Sequence, residues 1–187
     1  MSKVTDKIRT ICADKNMTAE QLAEGSGLTL EQVNRVCESN TIPSLSFLIK
    51  ISRALGVRLG TFLDDSEDVG PVVNKGNDKL HSVTFTSHNP NSNSHMDFIS
   101  LAASKAGRNM EPFLIDIQSG SGKEAASSHE GEEFLFVLQG SVKVKYGNET
   151  YILKKGDSIY YDSIVDHLVT SNGVETAKIL AVVYSPA

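Results

Sequence analysis

The chain has 187 residues and a formal net charge of -5 at pH 7. This negative charge argues against broad affinity for nucleic acid, because such affinity comes mainly from neutralising phosphates. The N-terminus lacks an apolar leader and no stretch approaches the ~18 apolar residues of a membrane span, so we expect neither export nor membrane anchoring. The two cysteines, Cys12 and Cys37, are too few for a disulfide framework and favour a reducing, cytoplasmic setting.

The hydrophobic period changes along the chain. Through Val57 the apolar residues recur at helical spacing, and from about Leu80 they alternate in short runs rich in Val, Ile, Tyr and Phe. The acidic stretch between these regions is broken by Gly and Pro, as linkers are. The helical part has balanced charges and the second part is acidic. We therefore predict an all-α domain of five short helices at residues 1–66, a linker at 67–78 and an all-β domain at 79–187.

Capping signals divide the helical part. Thr18 with Gln21, and Thr29 with Gln32, have the spacing of capping boxes that begin two short helices. Gly25, Ser26 and Gly27 lie between these helices and predict the turn of a helix-turn-helix. A fourth helix follows Pro43 and ends at Gly56, and a fifth starts after it.

The segments Thr18–Ala23, Pro43–Leu45 and Arg53–Val57 resemble the XRE family of phage-repressor-like DNA-binding domains, over about residues 3 to 65. The resemblance implies that helix 29–38 enters the major groove of a double-stranded operator, where Arg can pair with guanine and Asn or Gln with adenine. The implied base readers are Glu31, Gln32, Asn34 and Arg35, and the implied phosphate contacts are Asn40 and Thr41.

Some residues depart from the family pattern. Cys37-Glu38-Ser39 stands where the family usually has Glu-x-Gly, and Ala19 stands where a polar residue is common. The alternative interpretation is a repressor-like domain that no longer binds DNA and serves only in assembly. Cys12 and Cys37 are interpreted as small hydrophobic residues of the helical core rather than as a redox switch.

The strand signals are dense in the second half. Phe134–Leu138 is apolar on both faces, as in a strand buried between two layers, whereas the lysines of the strand 142–146 give it one wet face. Glycines at 147, 156 and 173 provide turns at regular intervals. The pattern predicts a jelly roll closed by two sheets.

His129, Glu133 and His167 are the predicted metal ligands. Two imidazoles and a carboxylate suit a divalent transition metal, such as Fe, Zn, Mn or Ni, and leave coordination positions open. With Gly140 and Gly156 they resemble the cupin motifs G-x5-H-x-H-x3-E-x6-G and G-x5-P-x-G-x2-H-x3-N. The open alternative is an empty barrel in which the same three side chains form a hydrogen-bonded cluster.

Departures from the cupin motifs limit this site to three ligands. Ser127 stands where the first histidine belongs, and the proline, glycine and asparagine of the second motif are replaced by Asp162, Ile164 and Ser171. We predict that Ser127, Phe113, Phe136, Tyr160 and Tyr161 line an effector pocket around the site. The remaining histidines, His81, His88 and His95, are predicted to be solvated.

Repressor-like domains joined to one cupin resemble bacterial regulators in which the barrel dimerises and binds a small effector. The sequence also resembles hydroxypropylphosphonate epoxidases at Ser128–Leu138, and these enzymes hold one iron by two histidines and a glutamate. In that interpretation Lys15 would reach a partner's active site, although Asn16 occupies the aligned position and 96–101 lacks their tyrosines. A third alternative is a non-catalytic cupin with a vestigial helical domain.

Overall fold

The structure is a computed structural model that describes residues 3–38, 42–63, 70–75, 82–85, 96–119 and 125–186. Within these ranges, five helices precede nine strands. The helices are α1 (Lys3–Asp14), α2 (Ala19–Ser26), α3 (Leu30–Glu38), α4 (Leu45–Ala54) and α5 (Gly60–Leu63). No helix in these ranges is long and apolar enough to cross a membrane.

Both predicted capping boxes are present. The Thr18 amide donates to Gln21 Oε1 at 2.8 Å, and the Thr29 amide donates to Gln32 Oε1 at 2.8 Å. Gly27 ends α2 in the left-handed conformation with φ 66°, which glycine adopts without a Cβ clash. The predicted helix-turn-helix of α2 and α3 is therefore confirmed, and its helices begin within one residue of the predicted positions.

The helical core is built from one apolar stripe of each helix. Ile8, Leu22, Val33, Leu48 and Phe62 come from α1 to α5 in turn, and each is at most 1% exposed. Each stripe follows the spacing that places apolar residues on one face of a helix. This core holds α3 with its opposite, polar face toward solvent.

The nine strands form two antiparallel sheets. The strands are β1 (Ser82–Phe85), β2 (Met96–Ser100), β3 (Met110–Ile117), β4 (Glu132–Gln139), β5 (Ser141–Tyr146), β6 (Glu149–Lys154), β7 (Ser158–Asp162), β8 (His167–Ser171) and β9 (Ala177–Tyr184). The larger sheet has the order β1-β2-β3-β9-β4-β7, and the smaller has the order β6-β5-β8. This two-sheet, strand-rich region is consistent with the predicted cupin fold.

One row of side chains crosses the larger sheet near its end. The register pairs Glu111 with Val183, Val183 with Glu133, and Glu133 with Tyr161. All four residues are buried, so the row lies on the inner face of the sheet. Two carboxylates thus lie in the same layer of the interior, and the layer beneath them is apolar, beginning with Phe113, Ala181 and Leu135.

The helical region and the sheet region meet at the segment that precedes β4. Arg53 on α4 forms an ion pair with Glu130 in this segment. The two regions also approach each other at Arg58 and Gly107. Arg58 Nη1 lies 3.3 Å from the position that a Cβ on Gly107 would occupy. The predicted linker, residues 67–78, is described only at 70–75, so its extent stays a prediction.

We expect Gly131→Ala to lower the free energy of unfolding more than Gly156→Ala does. Both glycines have positive φ, 106° and 93°, which costs a residue with a Cβ about 1–3 kcal/mol. Only at Gly131 would the added Cβ also meet backbone, at 2.0 Å from the Tyr184 carbonyl oxygen; nothing lies within 4 Å at Gly156. Urea unfolding of both variants measures the difference, and equal losses would show that this close approach carries no extra cost.

Candidate metal centre

Three predicted ligands from separate parts of the chain meet at one end of the strand-rich region. His129 lies in the segment before β4, Glu133 is the second residue of β4, and His167 is the first residue of β8. His129 is held by its amide, which donates to the Ser163 carbonyl at 2.9 Å. Reciprocal backbone hydrogen bonds of 3.0 Å tie His167 to Ser127. We call His129, Glu133 and His167 the histidine-carboxylate cluster.

The donor atoms of the cluster converge. Glu133 Oε1 lies 2.9 Å from His129 Nε2 and 3.4 Å from His167 Nε2, and all three donors lie within 4.8 Å of one another. Their side chains are 3%, 11% and 7% exposed in the order His129, Glu133, His167. Because burial removes these polar groups from water, they require a common partner or each other.

The outer nitrogen of each imidazole is occupied by the backbone. His129 Nδ1 lies 3.0 Å from the Glu130 carbonyl oxygen, and His167 Nδ1 lies 2.9 Å from that of Val165. A carbonyl only accepts, so each Nδ1 holds a proton and donates it. In the neutral form of each imidazole, Nε2 then faces Glu133 with a lone pair, which is the arrangement that holds histidines as metal ligands.

The cluster needs a cation between its members. When Nδ1 carries the proton, His129 Nε2 and Glu133 Oε1 are both acceptors, so either a second proton or a metal ion must lie between them. Donor atoms that bind one ion at ~2.1 Å lie roughly 3 Å from one another, and Glu133 Oε1 lies 2.9 and 3.4 Å from the two Nε2 atoms. Two imidazoles with one carboxylate are also a donor set for divalent Fe, Zn, Mn or Ni, so the residues fit a metal.

Tyr161 completes the surroundings of Glu133. Its hydroxyl donates to Glu133 Oε2 at 2.7 Å, and its ring lies 5.1 Å from that of His167. Burial alone would raise the pKa of Glu133, but the hydrogen bonds and charges of His129 and His167 hold that pKa well below its usual range. Burial and the neighbouring Glu133 carboxylate raise the pKa of Tyr161, which therefore stays a neutral donor.

His167 is poised to hold a proton when no metal is bound. Burial lowers its pKa, but the hydrogen bond to Glu133 and the charge of that carboxylate outweigh burial, so the pKa of His167 is raised. A metal ion must therefore displace this proton to reach Nε2. The same atoms can hold either cation, and the choice depends on pH and on metal concentration.

The structure divides the predicted effector-pocket residues into two groups. Tyr161 contacts the cluster, Ser127 pairs with His167 through its backbone, and Phe113 lies fully buried on the inner face. Phe136 and Tyr160 alternate with the buried positions of β4 and β7, and Tyr160 is 63% exposed. Because successive strand residues point to opposite faces, Phe136 and Tyr160 lie on the sheet face opposite to Glu133. The prediction that these two residues line the pocket is therefore wrong.

Most of the described DNA-contact candidates lie on the exposed face of α3. Glu31, Asn34 and Arg35 are exposed and, with Leu30 and Glu38, line a shallow surface cleft. Arg35 Nη2 is paired with Glu31 Oε1 at 2.8 Å. Gln32 differs, because its Oε1 accepts from the Thr29 amide in the capping box. Asn40 and Thr41 lie outside the described residues, as do His81, His88 and His95.

Sequence reasoning missed two ion pairs and an unpartnered hydroxyl. Arg108 Nε and Nη2 lie 2.8 and 2.7 Å from Glu111 Oε2 in a pair only 5–6% exposed, and Arg53 pairs with Glu130 across the two regions. Ser163 Oγ is buried with no hydrogen-bond partner among the described residues. The i,i+3 spacing of Arg108 and Glu111 was a weak signal for the first pair, and no sequence signal indicated the second.

The two cysteines are free and half-buried. Burial raises the pKa of Cys12, with a smaller contribution from Cys37, and burial is also the largest influence that raises the pKa of Cys37. Raised values disfavour the reactive thiolate. The cysteines therefore have the environment of small hydrophobic residues.

The chain matches two families over separate parts of its length. Residues 8–62 match the family described as Helix-turn-helix, HTH_3, and residues 113–183 match that described as Cupin domain, Cupin_2. An (S)-2-hydroxypropylphosphonic acid epoxidase from Streptomyces wedmorensis is 26% identical over 180 residues, with 90% of this chain and 80% of that enzyme covered.

Solved structures share the same succession of regions. An HTH_3 family transcriptional regulator from Vibrio cholerae superposes with a TM-score of 0.69 at 16% identity, covering 100% of this chain and 97% of that one. The Fe(II) form of HppE, a hydroxypropylphosphonic acid epoxidase, in complex with substrate gives a TM-score of 0.53 at 23% identity, with 98% of each chain covered. At these identities the similarities show the fold alone. The chain thus combines an N-terminal helix-turn-helix region with a C-terminal cupin domain.

Proposed function

We propose that the protein is a DNA-binding transcriptional regulator whose cupin domain binds a small effector through a divalent transition metal. The observation that carries this proposal is the joining, in one chain, of a correctly capped helix-turn-helix with an exposed polar α3 to a cupin domain that contains the histidine-carboxylate cluster. The match to helix-turn-helix and cupin families supports a DNA-binding regulator, and the cluster supports the metal.

The helical region would read DNA through α3. Its exposed face carries Asn34 and Arg35, which have the donors and acceptors that recognise adenine and guanine edges in the major groove. Asn40 and Thr41 would follow at the phosphates. A homodimer formed through the cupin domain would place two such helices about 34 Å apart on a palindromic operator. A protein with this role works in the cytoplasm, where the chromosome is.

The cupin domain would hold the metal through His129 Nε2, Glu133 Oε1 and His167 Nε2. A metal bound by three protein ligands supplies open coordination positions at which an effector's oxygen or nitrogen can bind. Tyr161 orients Glu133 through its hydroxyl, and the carbonyls of Glu130 and Val165 orient the two imidazoles. Ser127 and Phe113 would contribute one polar and one apolar surface to the effector pocket.

Effector and operator would be linked through the ion pair of Arg53 with Glu130. Glu130 follows His129 in the chain and its backbone carbonyl accepts from His129 Nδ1, while Arg53 belongs to α4 of the DNA-binding region. A ligand that shifts His129 therefore has a short physical route to the helices. By thermodynamic linkage, operator binding would change effector affinity by the same factor as the reverse effect.

A second candidate function is iron-dependent oxidation of a small substrate by the same cluster. It is favoured by the sequence similarity to (S)-2-hydroxypropylphosphonic acid epoxidase together with the convergence of two histidines and one glutamate. In that case Lys15, exposed just beyond the end of α1, would act in a partner's site. Activity with dioxygen, rather than operator binding, would distinguish this function.

Arg35→Ala should weaken binding to operator DNA about 5- to 150-fold, since a bidentate contact between arginine and guanine contributes ~1–3 kcal/mol of discrimination. The measurement is fluorescence anisotropy with DNA from upstream of the gene, at two salt concentrations. Lys145→Ala is the control, because it removes an exposed positive charge on β5, far along the chain from α3.

Equal weakening by Lys145→Ala would indicate non-specific attraction to phosphates instead of readout by α3. Absence of binding by the apo and metal-loaded protein across the upstream region would overturn the regulatory proposal. Oxygen consumption by the Fe(II)-loaded protein with small phosphonates would then be the assay to run.

Glu133→Gln should weaken divalent metal binding by more than 100-fold, because it removes the anionic ligand, whereas Glu132→Gln should change it less than threefold. The two carboxylates are neighbours on β4, and Glu132 is held on the other face by the Tyr160 hydroxyl. Isothermal titration of the metal-free protein with Zn²⁺ and with anaerobic Fe²⁺ measures both affinities. Similar affinities in the two variants would mean that the cluster is an ordinary hydrogen-bonded core.

Metal affinity should rise with pH from about 6 to about 8, the range in which histidine loses its proton. The pKa of His167 is raised by Glu133, so below that pKa a proton occupies Nε2 and competes with the metal; above it, the competition disappears. Titrations in a pH series measure the dependence. An affinity that stays constant, or falls, across this range would show that His167 does not bind the metal.

A further inference from the structure

A cleft lies between the two regions, beside the histidine-carboxylate cluster. It encloses about 210 Å³, and we call it the interdomain cleft. The helical wall is formed by residues at the end of α2 and along one side of α4, and the other wall comes from the segment before β4 and the turn after β7. Its lining is Gly25, Ser26, Ile49, Lys50, Arg53, Ser128, His129, Glu130 and Ile164.

The charges that line the interdomain cleft favour an anion. Lys50 and Arg53 supply two positive charges from α4, and Glu130 supplies one negative charge from the opposite wall. This local excess of positive charge occurs in a chain whose net charge is -5. A cleft with walls of low dielectric concentrates such a field and attracts small ions of the opposite sign.

Lys50 is the uncompensated charge. Arg53 is paired with Glu130, but Lys50 forms neither an ion pair nor a hydrogen bond within the part of the chain that the structure describes. Lys50 is also half-buried, and a lysine in such a position packs its methylene groups against the protein while its ammonium group stays available to a partner in the cleft. An anion in the cleft would supply that partner.

The size and polar groups of the cleft suit a small anion. Its volume of about 210 Å³ leaves room for such a ligand beside Lys50 and Arg53. Ser128 adds a half-buried hydroxyl that can donate, whereas the Ser26 hydroxyl already donates to the Leu22 carbonyl oxygen at 2.6 Å. Ile49 and Ile164 are the apolar side chains of the lining.

We infer that the interdomain cleft binds a small oxyanion, a carboxylate or a phosphoryl group, held by Lys50 and Arg53. Arg53 would exchange part of its pairing with Glu130 for the anion, because its planar guanidinium suits carboxylate and phosphate oxygens. The anion would then contact α4 and the neighbour of His129 at the same time. This inference rests on the proposed function for its role, since it adds, beside the effector at the metal, a second small ligand between His129 and the DNA-binding helices.

The test is isothermal titration of the full chain, at low salt, with inorganic phosphate in one arm and malonate in the other. Lys50→Gln should weaken the binding of the favoured anion about fivefold, the upper range for a partly exposed charge pair. Glu130→Gln should strengthen it, because it releases Arg53 and removes the negative charge of the lining. Lys143→Gln, an exposed lysine on β5, is the matched control and should leave binding unchanged.

Preference for phosphate or malonate identifies which of the two oxyanions the cleft accepts. Binding of neither, or equal binding by the Lys50→Gln and Lys143→Gln variants, would overturn the inference. The Zn²⁺ titration of each variant checks the fold. Glu130→Gln should leave Zn²⁺ binding unchanged, because the substitution keeps the backbone carbonyl that orients His129. Anion binding without operator binding would leave the cleft assigned and remove the regulatory proposal, and the reverse result would remove only the cleft.

Discussion

The buried carboxylate of Glu133 is the constraint on which the site depends. A carboxylate that is 11% exposed must have its charge compensated by close partners, because desolvation of an unpaired ion is costly. Here Oε1 faces both histidines and Oε2 accepts from Tyr161, so three strands and the segment before β4 meet at one side chain. Replacing one partner of such a group leaves an unpaired charge, which typically costs about 3–5 kcal/mol.

This constraint couples stability to function within the cupin domain. The same contacts that satisfy Glu133 also orient His129 and His167, and the backbone carbonyls at Glu130 and Val165 fix the imidazoles from outside. The site is thus preorganised by the register of β4 with β7 and by the strand β8, rather than by a flexible loop alone. Preorganisation of this kind lowers the entropy lost when a ligand binds.

The position of Glu130 gives the proposed regulator its physical connection. Along the chain it is the residue next to His129, and across the interdomain cleft it pairs with Arg53 of α4. A partly exposed pair of this type contributes little to stability, with 56% of the Arg53 side chain and 35% of the Glu130 side chain accessible. Its weakness suits a contact that an effector has to rearrange, because a strong contact would resist the change.

The local patterns of the sequence were sufficient to predict the helices and strands, whereas the tertiary structure decided which residues surround the site. Capping at Thr18 and Thr29 involves residues three apart, and the spacing of the predicted ligands His129, Glu133 and His167 resembles the cupin motifs. Spacing does not predict three other features. These are the sheet face on which Phe136 and Tyr160 lie, the hydrogen bond from the Tyr161 hydroxyl to Glu133, and the ion pair of Arg53 with Glu130. They depend on strand register and domain packing, which join residues distant in sequence, and no short-range pattern specifies such contacts.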